Sequence, residues 1–358
     1  MRKQLAAGLV AIAALWAIPG QTVLAEDEGN WTYDVKGGSD GNSTNMKWSN
    51  IEKSKITKPW RLCALFPQMK NVYWVAGSFG LVTEARRDNV NLQLFEAGGY
   101  GNLSTQLNQM DNCIASGYDA IIIAAISADG VAPLVRKAVA KGIPVIDYAN
   151  GINEPATSAH ATVSFIDLGK LAGQYVLDHT EPKSTVVGFF PGPQGANFSD
   201  DAVKGFEEAI KGSPLKVAVT RRGDASLNVQ LDLVQNAMQA YPDINYIVAI
   251  DPGAQGAVTV LRNSRMLGKV KVIGINFIPA IYTDIQKGDT EGSGVDFTPI
   301  QAKLAVDMAV RLLEKQPLPA KFAGPTPAFI TKQNIASFVW DTMFAPKDYK
   351  VTYTVDAK

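Results

Sequence analysis

Short apolar segments that alternate with helical patterns dominate this chain from Pro59 onward. Eight of these segments are five or six residues long, and they lie at 62–66, 92–96, 120–125, 144–148, 185–189, 215–220, 246–250 and 270–275. Segments such as Ile121-Ile122-Ile123 are apolar at consecutive positions, so both of their faces must be covered, as they are in buried parallel strands. The pattern predicts strands that lie inside layered sheets.

The segments between these strands have helical periodicity. The clearest apolar stripe has the spacing i, i+3, i+4, i+7, i+8 and consists of Val131, Leu134, Val135, Ala138 and Val139. Strict alternation of strand and helix indicates right-handed βαβ crossovers and parallel sheets covered on both faces. Because 358 residues exceed what one core normally serves, we expect an α/β protein with two Rossmann-like lobes. The turn-rich segment 149–155 is the expected first crossing between them.

The first 25 residues have the features of a secretory signal peptide. They begin with a short basic stretch, continue through the apolar residues 5–18, and end with small residues before the expected cleavage after Ala25. We therefore expect export to the periplasm. Residues 26–58 are rich in Gly, Ser, Asn, Asp and Lys and lack a sustained apolar period, which predicts an extended leader.

Charge and histidine content exclude several classes of protein. The 34 basic and 34 acidic side chains balance, so no broad positive field favours nucleic acid or anionic lipid. His160 and His179 are the only histidines and lack the spacing of a zinc motif, and no phosphate-binding loop or nucleophile motif follows a predicted strand. We expect no catalytic residue, no metal, no cofactor and no enzymatic activity.

Cys63 and Cys113 are the only cysteines. In an oxidising compartment such a pair can form one disulfide. Since Cys63 lies in a predicted strand and Cys113 in a predicted helix, two buried free thiols are the alternative. A bridge requires Cα atoms closer than ~7 Å, and the sequence leaves both interpretations open.

Aromatic and amide side chains collect directly after the predicted strands. In open α/β sheets ligands bind beyond the carboxyl ends of strands, so two facing sheets would hold a ligand between the lobes. The candidate ligand-binding residues at these ends are Asn71, Tyr73, Trp74, Tyr100, Asn150, Phe165, Asn197, Asp251, Asn276 and Asp296. Rings with a few carboxylates or amides suit a small polar or cationic ligand, whereas ordinary core packing is the alternative for any single ring.

Several of these segments also resemble a known family. Asn71 to Trp74, residues 144–147, Asp251 with Gly256-Ala257, and residues 272–275 are similar to sugar-type, type I periplasmic binding proteins, across nearly all of residues 60–318. The resemblance implies a hinge of three crossings, the later two near 275–279 and 297–300. The lobes implied are an N-terminal one of residues 59–150 and 298–322 and a C-terminal one of residues 151–297 and 323–358.

A narrower resemblance is to members of this family that detect trimethylamine N-oxide and report to a membrane sensor kinase. It depends on residues 62–67, on the pair Tyr73-Trp74, on residues 96–100 and on Cys113. It implies an aromatic box around a methylated amine oxide, in which Tyr73, Trp74 and Tyr100 stack on the methyl groups.

Two residues depart from that narrower pattern. Phe165 and Asn276 stand where the resemblance leads us to expect a tryptophan and a tyrosine. Trimethylamine N-oxide, a related methylamine and a small sugar-like solute therefore all remain candidate ligands. The partner implied is the periplasmic domain of a sensor kinase, and the alternative is the permease of a sugar-type ABC transporter.

Overall fold

Two α/β lobes make up the protein in the computed structural model, which describes residues 29–39 and 42–358. The first lobe is built on a nine-stranded sheet. Its strands are β1 (Thr32–Ser39), β2 (Asn42–Ser49), β3 (Arg61–Phe66), β4 (Asn91–Glu96), β5 (Ala120–Ile123), β6 (Val145–Tyr148), β7 (Ala159–Ala161), β13 (Phe322–Pro325) and β15 (Thr354–Val355). Their order across the sheet is β15-β4-β3-β5-β6-β7-β13-β1-β2.

The second lobe is built on a six-stranded sheet. Its strands are β8 (Val186–Gly192), β9 (Lys216–Arg222), β10 (Tyr246–Ala249), β11 (Lys271–Gly274), β12 (Gly292–Val295) and β14 (Ala328–Thr331), in the order β14-β12-β11-β10-β8-β9. The interior pairs of both sheets are parallel, and antiparallel pairs occur only toward the edges of the described sheets. All eight predicted strands are present, which confirms the predicted α/β class with parallel sheets.

Helices cover the sheets of both lobes. The helices of the first lobe are α1 (Val72–Asp88), α2 (Leu103–Ala115), α3 (Ala132–Ala140) and α9 (Thr298–Leu313). Those of the second lobe are α4 (Phe165–Asp178), α5 (Asn197–Ile210), α6 (Leu227–Ala240), α7 (Asp251–Asn263) and α8 (Pro279–Lys287). Near the C-terminus, α10 (Trp340–Met343) is a short turn of helix. Within the described ranges, no helix combines the length and the apolar character that a membrane crossing needs.

The chain crosses between the sheets at 162–164, 296–297 and 326–327. The crossing predicted near 297–300 agrees with the structure. The one predicted at 149–155 is too early, because β7 still pairs with β6 in the first sheet. The one predicted near 275–279 is wrong, because β11 and β12 are neighbours in the second sheet. A turn-rich segment indicates that the chain reverses direction, but it does not indicate which sheet the next strand joins.

The C-terminal segment is shared between the lobes, although the sequence assigns all of 323–358 to the second. Only β14 pairs in the second sheet, while β13 pairs with β7 and β15 pairs with β4 in the first. Near the end of the chain Tyr349 contacts Phe79 of α1, with ring centroids 5.3 Å apart. The boundaries predicted at 150 and 322 are therefore corrected to 161 and 325, because edge positions depend on long-range pairing.

The segment predicted to be an extended leader contains the β1–β2 hairpin. Two tryptophans anchor it to the first lobe: Trp31 Nε1 donates to Glu84 Oε2 at 2.7 Å, and Trp48 Nε1 donates to Asp307 Oδ2 at 2.7 Å. The hairpin extends the first sheet through the pairing of β1 with β13. The predicted signal peptide lies outside the described residues.

A disulfide joins Cys63 of β3 to Cys113 of α2, with their Cα atoms 6.3 Å apart. Both residues are buried in a small apolar cluster with Met110, Ile121 and Val135. The bridge therefore ties helix α2 to the central strand that it covers.

Candidate ligand-binding site

The carboxyl ends of strands from both sheets face one cleft, and the lobes contact each other across it. Gln68 Nε2, after β3, donates to the carbonyl oxygen of Ala225 at 2.9 Å. The backbone N–H of Tyr100, after β4, donates to Asp224 Oδ2 at 2.9 Å. Ala225 and Asp224 follow β9 in the second lobe. The structure therefore has the cleft in a closed arrangement.

One polar contact across the cleft starts at the first turn of α1. Asn71 caps this helix, because its Oδ1 accepts from the backbone N–H of Tyr73 at 2.9 Å. The other end of the amide reaches the second lobe, where Nδ2 donates to Asp251 Oδ2 at 2.7 Å. Asp251 is the first residue of α7, directly after β10, and is only 5% exposed.

A second carboxylate lies where the chain returns to the first lobe. Asp296 follows β12, is 2% exposed, and accepts from the Tyr73 hydroxyl at 2.5 Å. The same oxygen, Oδ2, also accepts from Thr298 Oγ1 at 3.3 Å and from Gln301 Nε2 at 3.2 Å. These bonds hold one carboxylate oxygen and leave Oδ1 for other contacts.

Burial makes both carboxylates hard to ionise. It raises the pKa of Asp251 to about 7, with a smaller upward contribution from the negative charge of Asp296. It also raises the pKa of Asp296, against the opposing effect of the hydrogen bond from Tyr73. Neither carboxylate forms an ion pair with a lysine or arginine in residues 42–358 or in the hairpin residues 29–39. The two acidic groups in the cleft therefore have no positively charged side chain paired with them among the described residues.

Asn276 is a third polar group at this end of the second sheet. It follows β11, and its backbone oxygen accepts from Ser293 Oγ of the neighbouring strand β12 at 2.7 Å. The side chain is 4% exposed, and Oδ1 has no hydrogen-bond partner among the residues that the structure describes. Buried amides are normally satisfied, so Asn276 is available for a ligand.

Two groups of rings line the same region. In the first lobe, Trp74 meets Tyr73 edge-on with centroids 4.9 Å apart, and it also contacts Phe66 at 5.4 Å and Tyr148 at 6.2 Å. Trp74 is 2% exposed. It therefore packs into the lobe's core while standing at the start of the helix that faces the cleft.

The second group crosses between the lobes. Tyr100 lies 5.8 Å from Phe198 of α5, and Phe198 lies 5.7 Å from Phe165 of α4, measured between ring centroids. Burial raises the pKa of Tyr100, and the charge of Asp251 raises it further.

Residues 64–317 of the chain match the family described as periplasmic binding protein domain. The chain belongs to this family. Like its relatives, it is a binding protein and not an enzyme. The periplasmic protein TorT of Escherichia coli strain K12 is 31% identical over 271 residues, which are 76% of this chain and 78% of TorT.

Solved structures of similar binding proteins agree in fold. A solute-binding protein of an ABC transporter from Bradyrhizobium sp. BTAi1, with bound Bis-Tris, is 38% identical with a TM-score of 0.75, and the match covers 90% of this chain and 98% of that one. The complex of TorT with the TorS sensor domain in the presence of trimethylamine N-oxide matches with 25% identity and a TM-score of 0.72, over 82% of this chain and 99% of that one.

The structure brings together most of the candidate residues of this binding protein, but two have other surroundings. The side chain of Asn150 forms its hydrogen bonds inside the first lobe, where Nδ2 donates to Ala125 O at 2.8 Å and to the Tyr100 hydroxyl at 2.9 Å. Asn197 lies against Gly151, where a Cβ on the glycine would be 2.6 Å from Asn197 Nδ2. Asn150 therefore positions Tyr100, and Asn197 contacts the loop after β6.

Three residues of the site do not appear among the sequence-predicted ones. Phe198 directly follows the predicted Asn197, and Tyr148 lies two positions before the predicted Asn150. Their positions beside predicted residues are the sequence signal that points to these two rings. Gln301 gives no local signal, because its role comes from the turn of α9 that returns it to Asp296. Within the described ranges, no group of three or more potential metal ligands occurs.

Proposed function

We propose that this protein binds a small alkylated amine in the cleft, trimethylamine N-oxide or a related methylamine, and that its closed form reports to a membrane sensor kinase. It would do so in the periplasm after removal of residues 1–25. The observation that carries the proposal is the pair of buried carboxylates, Asp251 and Asp296, which lack a cationic partner among the described side chains.

The physical argument starts from the cost of burying charge. A carboxylate taken out of water without compensation is strongly disfavoured, and the raised pKa of Asp251 is the sign of that cost. A cationic ligand would supply the missing charge. The rings of Tyr73, Trp74 and Tyr100 suit its alkyl groups, since each cation–π contact contributes ~0.5–2 kcal/mol.

The relatives support the same class of ligand. TorT has been solved with its sensor domain partner in the presence of trimethylamine N-oxide, and Bis-Tris, which is present in the Bradyrhizobium protein, is a tertiary amine. The closed cleft provides a surface that exists only when both lobes are engaged, which is what a sensor partner would recognise.

Calorimetric titration tests the ligand class. Wild-type protein is titrated with trimethylamine N-oxide, choline, betaine and ribose, and we expect amine binding. Asp251→Asn should weaken choline binding at least tenfold, whereas Asp232→Asn on the exposed side of α6 should leave it unchanged. Binding of ribose alone would contradict the proposal.

Uptake through an ABC permease is the second candidate function, and it is favoured by the similarity to the Bradyrhizobium solute-binding protein. The two functions differ in what a deletion strain loses. For sensing, loss of this protein abolishes the transcriptional response to the amine and leaves uptake of radiolabelled amine intact. For transport, uptake is lost.

A further inference from the structure

Hydrogen-bond acceptors without partners converge at the end of β11 and β12. Besides Oδ1 of Asn276, the side-chain Oε1 of Gln301 is fully buried and has no partner among the described residues. Gln301 Nε2 donates to the backbone oxygen of Asp296 at 2.7 Å, which fixes the amide beside that carboxylate. Ser293 Oγ of β12 donates to the backbone oxygen of Asn276 at 2.7 Å, which holds Asn276 against the strand that leads into Asp296.

The donor groups of two other residues of the site are already in use. The Tyr73 hydroxyl donates to Asp296, and Asn71 Nδ2 donates to Asp251. A ligand that enters this region therefore meets two carboxylates and two amide oxygens. Leaving buried acceptors unpaired is costly, and sites built to pair with a ligand's donors reject analogues that lack them.

We infer that the preferred ligand is an ammonium ion that carries several O–H or N–H donors, a hydroxyalkyl ammonium, rather than a donor-free methylamine. This inference rests on the proposed function, that the cleft takes a small alkylated amine, and it specifies the chemical class. Trimethylamine N-oxide has methyl groups and an acceptor oxygen but no donor. It would therefore leave the amide oxygens of Asn276 and Gln301 unpaired.

A graded set of permanently charged ligands tests the inference. Tetramethylammonium, choline, bis(2-hydroxyethyl)dimethylammonium and tris(2-hydroxyethyl)methylammonium differ in hydroxyl number from zero to three at constant charge. Calorimetry at pH 8 should give about a tenfold gain in affinity for each of the first two hydroxyls, equivalent to ~1.4 kcal/mol each. Trimethylamine N-oxide should bind more weakly than the ligand with two hydroxyls.

A variant connects the gradient to the site. Asn276→Leu keeps a similar volume and removes the free amide, so the gain from the second hydroxyl should fall to threefold or less. Asn108→Leu, on the exposed face of α2, is the control and should keep the full gradient. Circular dichroism melting verifies that both variants are folded. A gradient that Asn276→Leu does not alter would overturn the role of these acceptors.

The outcomes separate this inference from the proposed function. If tetramethylammonium or trimethylamine N-oxide binds as tightly as the hydroxylated ions, the inference is wrong and the amine site stands. If xylitol, a neutral polyol with many donors, binds and no amine does, both are wrong. If no amine binds at all, the inference and the proposed function are likewise both wrong.

Discussion

At the scale of single residues, Trp74 decides whether the aromatic rings bind ligand or only fill the core. Its ring contacts Tyr73, Phe66 and Tyr148, so it does pack in the lobe. We expect Trp74→Ala to weaken binding of a quaternary ammonium about tenfold or more, because cation–π contacts of ~0.5–2 kcal/mol are strongest with tryptophan. Isothermal titration of the folded variant measures this.

The matched control for that experiment is Trp48, which is equally buried but lies under the hairpin and bonds to Asp307. Trp48→Phe should lower the melting temperature and leave the affinity unchanged. If Trp74→Ala also lowers only the melting temperature and leaves the affinity unchanged, Trp74 is a core residue and does not belong to a ligand-binding aromatic box.

The ionisation of Asp251 gives the affinity a defined pH dependence. Burial raises its pKa to about 7, and a bound cation favours the ionised form. Affinity for choline should therefore rise about tenfold from pH 6 to pH 8, as the ionised fraction increases. Trimethylamine N-oxide should behave in the opposite way, since only a protonated carboxyl can donate to its oxygen. Asp251→Asn should flatten both profiles, and a choline affinity that falls with rising pH would refute the assignment.

At the scale of elements, the hairpin is fixed to α1 by a buried acid. Burial raises the pKa of Glu84, and the charge of Asp88 raises it further. The folded state therefore binds this proton more tightly than the unfolded chain, so the contribution of Glu84 to stability is fully present below its unfolded-state pKa and is lost as pH rises through its folded-state pKa. Glu84→Gln keeps an acceptor for Trp31, and it should reduce the loss of melting temperature between pH 5 and pH 8.

The exposed residue Glu207 of α5 provides the comparison for that measurement. Glu207→Gln should leave the pH profile of the melting temperature as it is in the wild type. An identical profile for Glu84→Gln would show that the hairpin anchor does not titrate in this range.

The disulfide is the second device at this scale. It closes a loop with a sequence separation of 50 residues between β3 and α2, and the chain-entropy estimate for such a loop is ~4 kcal/mol. Unfolded, unreduced protein should show no free thiol in a titration, and Cys63→Ala with Cys113→Ala should lower the free energy of unfolding by roughly that amount. Two titratable thiols would contradict the bridge.

At the scale of the molecule, we expect ligand binding to be coupled to closure of the lobes. The bond from the Tyr100 N–H to Asp224 joins the two lobes, so opening of the cleft would break it. Asp224→Ala should weaken ligand binding roughly tenfold to 150-fold, since a hydrogen bond to a charged group contributes ~1.5–3 kcal/mol. Small-angle scattering should show a larger radius of gyration for the ligand-free variant. Asp243→Ala, at an exposed position, should change neither quantity.

The sequence by itself determined eight of the strands, the two-lobed α/β class and the positions after strands where Tyr73, Asp251, Asn276 and Asp296 stand. These follow from local patterns, because apolar runs and helical stripes are set by which faces are buried. A carboxyl end of a parallel strand is also an intrinsic direction of the chain, so its residues face the cleft in any such fold.

Only the tertiary structure decided which strand joins which sheet, and therefore where the crossings lie. The hairpin, β7, β13 and β15 take positions in the first sheet through long-range pairing that leaves no periodic signal in such short segments. The same holds for Gln301, which reaches Asp296 through the turn of α9, and for the bridge between Cys63 and Cys113. Contacts between distant segments depend on the complete packing of the chain, and this is why a local pattern could not specify them.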